Sequence, residues 1–169
     1  MSTVRELHGD KVAARDGVIG ALHDVYFDDA QWVVRFFVVE EGARQRLIPP
    51  RTVEPGLSGR KKLRLGLTRA QLRGLKVRRP AVPLCSAMQM VGCAVEARDG
   101  TAGRVRDIVL DEETWQIREV LVDTSPWWPG GLARVHPQYV ERVDGRGRKV
   151  HLRLTRQQVK LSGAKTPRR

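Results

Sequence analysis

The chain repeats itself at an offset of 83 residues, and that repeat limits the folds open to it more than any other feature. Ala14-Arg15-Asp16-Gly17 recurs as Ala97-Arg98-Asp99-Gly100. Gly9, Val12, Gly20, Asp24, Asp28, Trp32 and Arg35 recur as Gly92, Val95, Gly103, Asp107, Asp111, Trp115 and Arg118. Roughly 12 of 31 aligned positions are identical without a gap, where chance would give about two. After a short insertion, Pro49 aligns with Pro137, and Leu67-Thr68-Arg69 aligns with Leu154-Thr155-Arg156. A chain of 169 residues is thus two copies of one unit of about 75 residues. The reading divides it into a first repeat at 1–76, a linker at 77–88, a second repeat at 89–162 and a basic, disordered tail at 163–169. Two prolines mark the linker, and Gly, Pro and basic residues mark the tail.

Each unit reads as short strands. Lys11–Ala14 is the first, and Asp16-Gly17 supplies a tight hairpin turn. Strands follow at 18–27, 32–39, 44–48, 53–55 and 62–67. The run from Val33 to Val39 is β-branched or aromatic except for Arg35, which favours a strand apolar on both faces. The second unit repeats the plan with strands at 94–97, 101–110, 115–123, 132–136, 139–143 and 149–154. Thr68 and Thr155 are N-caps for short helices at 69–73 and 156–161. Short strands, Gly/Asp turns and one terminal helical turn per unit argue for an all-β chain of two small barrels. Two such units are expected to pack about a pseudo-twofold axis, with the strands near 33–39 and 117–122 at the seam. This makes the chain a monomeric fused pseudo-dimer, or a weak homo-oligomer.

The pattern Gly-x-x-Val-x-Ala-x-Asp-Gly-x-x-Gly, followed by Asp, an acidic turn, Trp and an aliphatic strand, resembles the PRC-barrel domain. Asp111-Glu112-Glu113-Thr114-Trp115, Leu121-Val122-Asp123-Thr124, Trp128-Pro129-Gly130 and Leu154-Thr155-Arg156-Gln157-Gln158-Val159 are especially similar to bacterial stand-alone proteins with two PRC-barrel repeats. The resemblance covers about residues 5–73 and 89–162. It implies two tandem barrels, and it implies binding of other macromolecules without chemistry, as in the reaction-centre H subunit and a ribosome maturation factor. The first unit departs from the pattern. The loop Ser125–Gly131 is shortened there to Glu40-Glu41-Gly42-Ala43.

No catalytic constellation emerges. His8, His23, His136 and His151 are scattered, and Cys85 and Cys93 have no histidine nearby in sequence. No cofactor, metal or enzymatic activity is expected. The repeated Asp16, Gly17, Gly20, Asp24, Trp32 and Arg35, with Asp99, Gly100, Gly103, Asp107, Trp115 and Arg118, are read as structural. Asp24 and Asp107 are expected to meet a backbone donor or the equally repeated Arg35 and Arg118. No apolar run reaches the roughly 18–20 residues of a membrane span, and Met1–Asp10 lacks a signal-peptide core. A cytoplasmic protein is expected.

Charge points to a partner. Lys and Arg number 31 against 19 Asp and Glu, a net +12. No acidic residue lies between Glu54 and Glu96, where Arg60, Lys61, Lys62, Arg64, Arg69, Arg73, Lys76, Arg78 and Arg79 accumulate. That stretch has no aromatic residue, which argues against reading single-stranded bases by stacking. The loop with Trp127 and Trp128 is the second candidate. Its alternative reading has Trp128 covering a barrel end and Trp127 meeting the first unit. The resulting expectation is a non-enzymatic adaptor binding a protein or ribonucleoprotein. The alternatives are an RNA- or ribosome-associated factor using the basic face, or a peripheral protein at an anionic membrane or electron-transfer complex.

Overall fold

The computed structural model describes residues 1–55, 62–129 and 131–164. Its architecture is all-β. In the first half, β2 (Lys11–Ala14), β3 (Gly17–Asp28), β4 (Val33–Glu41), β5 (Arg44–Ile48) and β6 (Lys62–Arg64) form a sheet in the order β5-β4-β3-β2-β6. In the second half, β8 (Ala94–Ala97), β9 (Gly100–Leu110), β10 (Ile117–Asp123), β11 (Leu132–Val135), β12 (Val140–Asp144) and β13 (Lys149–Leu152) run in the order β11-β10-β9-β8-β13-β12. The last strand of each unit returns parallel to its first: Leu63 pairs with Val12, and Val150 with Val95. The brief strand expected at 53–55 is a short 3-10 turn, Pro50–Thr52, followed by a lone Val53–Leu65 bridge. One continuous core runs through both sheets, from Val12, Phe37 and Ile48 to Val95, Val120 and Val150.

Each sheet borrows a strand from the other half. β1 (Ser2–Thr3) pairs with the end of β9, Ser2 against Leu110 and Thr3 against Val109. β7 (Cys85–Ser86) pairs with the end of β3, Cys85 against Phe27 and Ser86 against Tyr26. The two registers are related by the repeat offset. Behind each borrowed strand sits a one-turn helix, α1 (Val4–Leu7) or α3 (Ala87–Met90), capped by Thr3 or Ser86. Residues 85–88 therefore belong to the exchanged segment and not to the linker, and residues 2–3 complete the second sheet. A two-residue strand and a one-turn helix have no local stability and no periodicity; only their tertiary partners hold them.

Asp24 and Asp107 fasten these segments. Asp24 is buried at 8% exposure and accepts from the Ser86 hydroxyl and, at 3.0 Å, from the Met88 amide. Asp107 accepts from the Arg5 amide at 3.1 Å. Arg35 and Arg118 do not meet them. They pair instead with Asp28 at 3.1 Å and Asp111 at 2.7 Å, the aspartates that open the following turns. In an extended strand, Asp24 faces the exchanged backbone, while the turn folds Asp28 back towards Arg35.

Those turns build the seam. Asp28 accepts from the Ala30 and Gln31 amides, and Asp111 from the Glu113 and Thr114 amides. Each turn closes on a tryptophan held at positive φ, 54° for Trp32 and 57° for Trp115, a conformation costing about 1–2 kcal/mol outside glycine. Each Trp carbonyl accepts from the other half. Ile117 donates to Trp32 at 2.8 Å, and Val34 donates to Trp115 at 2.9 Å. Val33 bridges Gln116 between the two bonds. The Trp115 ring meets Phe37 edge-on at 4.8 Å, so the repeated Asp-x-x-x-Trp-x-x-Arg is a docking device between the halves.

The Arg118 guanidinium beside Asp111, followed by the turn amides, holds that carboxyl down to about 2. A depressed carboxylate contributes stability above its ordinary range and loses it as pH falls through the folded value. Asp111→Asn is therefore expected to flatten the fall in thermal midpoint between about pH 4 and pH 2. An acid limb as steep as the wild type's would remove Asp111 from the seam's pH response.

Candidate functional site

The terminal helices anchor on the hairpin turns. Thr68 caps α2 (Arg69–Arg73), whose first amide donates to Asp16 at 2.9 Å. The Arg156 amide of α4 (Arg156–Ala164) donates to Asp99 at 2.8 Å. Arg69 is thus partly committed, its guanidinium also reaching the Asp16 carbonyl at 3.1 Å. The helix α4 extends three residues beyond its expected end at 161. Residues 165–169 of the expected tail lie outside the described residues.

Gly74 ends α2 after five residues, and the chain then leaves as an extended linker. Lys76–Pro80, the β4 residues Val34, Arg35 and Phe36, and Pro49, Pro50 and Arg51 line a groove of about 650 Å³. Its floor is apolar; Phe36 is only 4% exposed and stands outside the shared core. This explains a β4 that is apolar on both faces: one face fills the core, and part of the other floors the groove.

The groove's charge has one sign. Arg35, Arg51, Lys76, Arg78 and Arg79 line it, and none of its lining residues is a carboxylate. Arg51, Lys76, Arg78 and Arg79 are exposed, and among the described residues none has a carboxylate partner within salt-bridge distance. Arg35 gives one nitrogen to Asp28 and Gln31, while its buried Nε has no partner among the described residues. The second unit differs at the equivalent place. There Phe36 is replaced by Glu119, which pairs with Arg134 at 2.9 Å and cancels charge.

The basic block is spread over several elements: Lys76, Arg78 and Arg79 line the groove, whereas Lys62 and Arg64 lie on β6, three strands from β4 in the sheet order. Arg73 is exposed on α2. Arg60 and Lys61 lie outside the described residues. Arg51 escaped the sequence reading because it stands alone in Pro49-Pro50-Arg51. Its signal is the proline pair, which starts a 3-10 turn and throws the next side chain outward.

Trp127 and Trp128 are both half-buried. The Trp127 indole donates to the Ala102 carbonyl of its own unit. Arg156 lies over the Trp127 ring at 4.9 Å, and Lys160 over Trp128 at 5.1 Å. The loop is therefore stapled to α4, with its ring faces covered by cations. The cysteines are poor nucleophiles: burial, followed by the Asp29 and Asp28 carboxylates, pushes the Cys85 thiol up to about 12, and burial raises Cys93. Among the described residues no three His, Cys, Asp or Glu side chains could hold a metal, and no helix is long and apolar enough to cross a membrane. A comparison with protein-family models finds no match, and neither does a search of curated proteins.

Proposed function

We propose that this chain is a non-enzymatic, cytoplasmic adaptor of the two-repeat PRC-barrel type, which docks an anionic macromolecule in the linker groove. The observation that carries this reading is the concentration of five cationic side chains around one concave apolar floor without a lining carboxylate. Four exposed basic side chains without a carboxylate partner among the described residues repel one another, and a polyanion that enters relieves that repulsion. The remaining contacts serve the fold: the exchanged strands, the Trp seam and the helix anchors use up the repeated polar residues. The duplication supplies a rigid double scaffold, and the linker, unique to the junction, supplies the binding surface.

The test is retention from native lysate at low salt, with wild type compared against the triple variant Arg51→Glu, Arg78→Glu, Arg79→Glu. The expected result is a set of species held by wild type and lost from the variant, with unchanged thermal midpoint because the three side chains are exposed. Equal retention by both would remove the groove as the docking site.

A further inference from the structure

We infer that the groove's occupant is an extended acidic segment of a protein, with carboxylates alternating with apolar side chains. This inference rests on the docking reading above and narrows it to one class of partner. Three observations select a peptide. The first is the mixture of surfaces: apolar Val34, Phe36, Pro49 and Pro50 line the groove together with five cations. A strand with alternating side chains presents apolar groups to the one set and acids to the other. A phosphodiester chain has no use for the floor unless its bases stack, and the lining offers no exposed aromatic ring. The second is the backbone of the linker. Among the described residues, the amides of Lys76, Val77, Arg78 and Arg79 make no hydrogen bond to backbone or side chain. An extended stretch with free donors beside a groove is a template for main-chain pairing with an added strand. The third is shape. Two further hollows share linker residues with the groove, one of about 330 Å³ beside β5 with Leu72, Leu75 and Val77, and one of about 430 Å³ with Arg79, Pro80 and Val82. Concave surface along a linker suits a single extended chain and not a flat lipid surface.

The occupant then pairs its backbone with Lys76–Arg79, sets carboxylates against Arg51, Arg78 and Arg79, and lays apolar side chains on Val34 and Phe36. The experiment uses the full chain labelled with 15N and three probes: a capped decapeptide alternating glutamate and valine, a 20-mer of oligo-uridine, and vesicles of equal phosphatidylglycerol and phosphatidylcholine. The expected result is that the peptide shifts the amides of residues 76–79 and 51, that its affinity falls at least tenfold in Arg78→Glu/Arg79→Glu, and that a glutamate–serine peptide binds at least fivefold more weakly. Tighter occupation of the same amides by oligo-uridine or vesicles would overturn the peptide assignment and leave the groove as the docking site. No shift at these amides with any probe would overturn both.

Discussion

Asp24→Ala lowers the unfolding free energy by about 3 kcal/mol, because charge-assisted hydrogen bonds are worth roughly 1.5–3 kcal/mol and their loss leaves buried and partly buried donors unpaired. The carboxylate accepts from Ser86, Met88 and its own neighbour Val25, so three donors are stranded at once. Two of them belong to the segment exchanged from the other half. The midpoint of thermal unfolding is expected to drop by on the order of 10 °C for a chain of this size. Asp107→Ala costs less, about 2 kcal/mol, since among the described residues its carboxylate holds one donor across the halves, the Arg5 amide, with Ile108 as its local donor. Asp24→Asn keeps an acceptor oxygen and costs about 1 kcal/mol. Denaturant unfolding of the three variants measures the order. Equal losses at Asp24 and Asp107, or losses under about 0.5 kcal/mol, would mean that the exchanged strands are held by their backbone ladders alone.

That order was not legible in the sequence, although the importance of the two aspartates was. Their recurrence at a fixed offset marks them as structural. Their partners, however, sit 62 and 64 positions away for Asp24 and 102 away for Asp107. No local pattern announces such a contact, and the nearest repeated cation, Arg35 or Arg118, looked like the natural mate. The geometry assigns those arginines to Asp28 and Asp111 because a turn brings residues seven apart together on one side. Strands bounded by strong punctuation were legible to the residue: β2 ends at a hairpin Asp-Gly, and β5 ends at a proline pair. The exchanged β1 and β7 carried no signal, since two residues cannot display an alternation. The groove was half legible. Its linker cations form a visible run, but the wall opposite comes from β4 and from Arg51, which only the fold places there.

Gly103→Ala is expected to cost about 4 kcal/mol, combining overpacking of about 1–3 kcal/mol with about 1–2 kcal/mol for a left-handed alanine. Gly103 has φ +140°, and a Cβ there would collide with the Asp123 carbonyl oxygen and lie 2.9 Å from its carbon. Its repeat mate Gly20 has the same collision, with the Glu40 carbonyl, but its φ is outside the left-handed range. Gly20→Ala therefore costs less, about 2–3 kcal/mol. Each glycine lies beside a register shift, opposite Val12 or Val95, where the long strand must let the end of its neighbour cross closely. The consequence of the collision differs between the halves. Asp123 leads into the loop that carries Trp127, and Trp127 is bonded to Ala102, the residue before Gly103. Pushing Asp123 away frees that indole from its carbonyl and from the Arg156 face. Gly103→Ala should thus shift tryptophan emission to the red at temperatures where the chain is still folded, while Gly20→Ala should not, because the shortened turn after Glu40 carries no tryptophan. A red shift in both variants would point to general loosening of the core, and none in either would show that the loop is held by α4 alone.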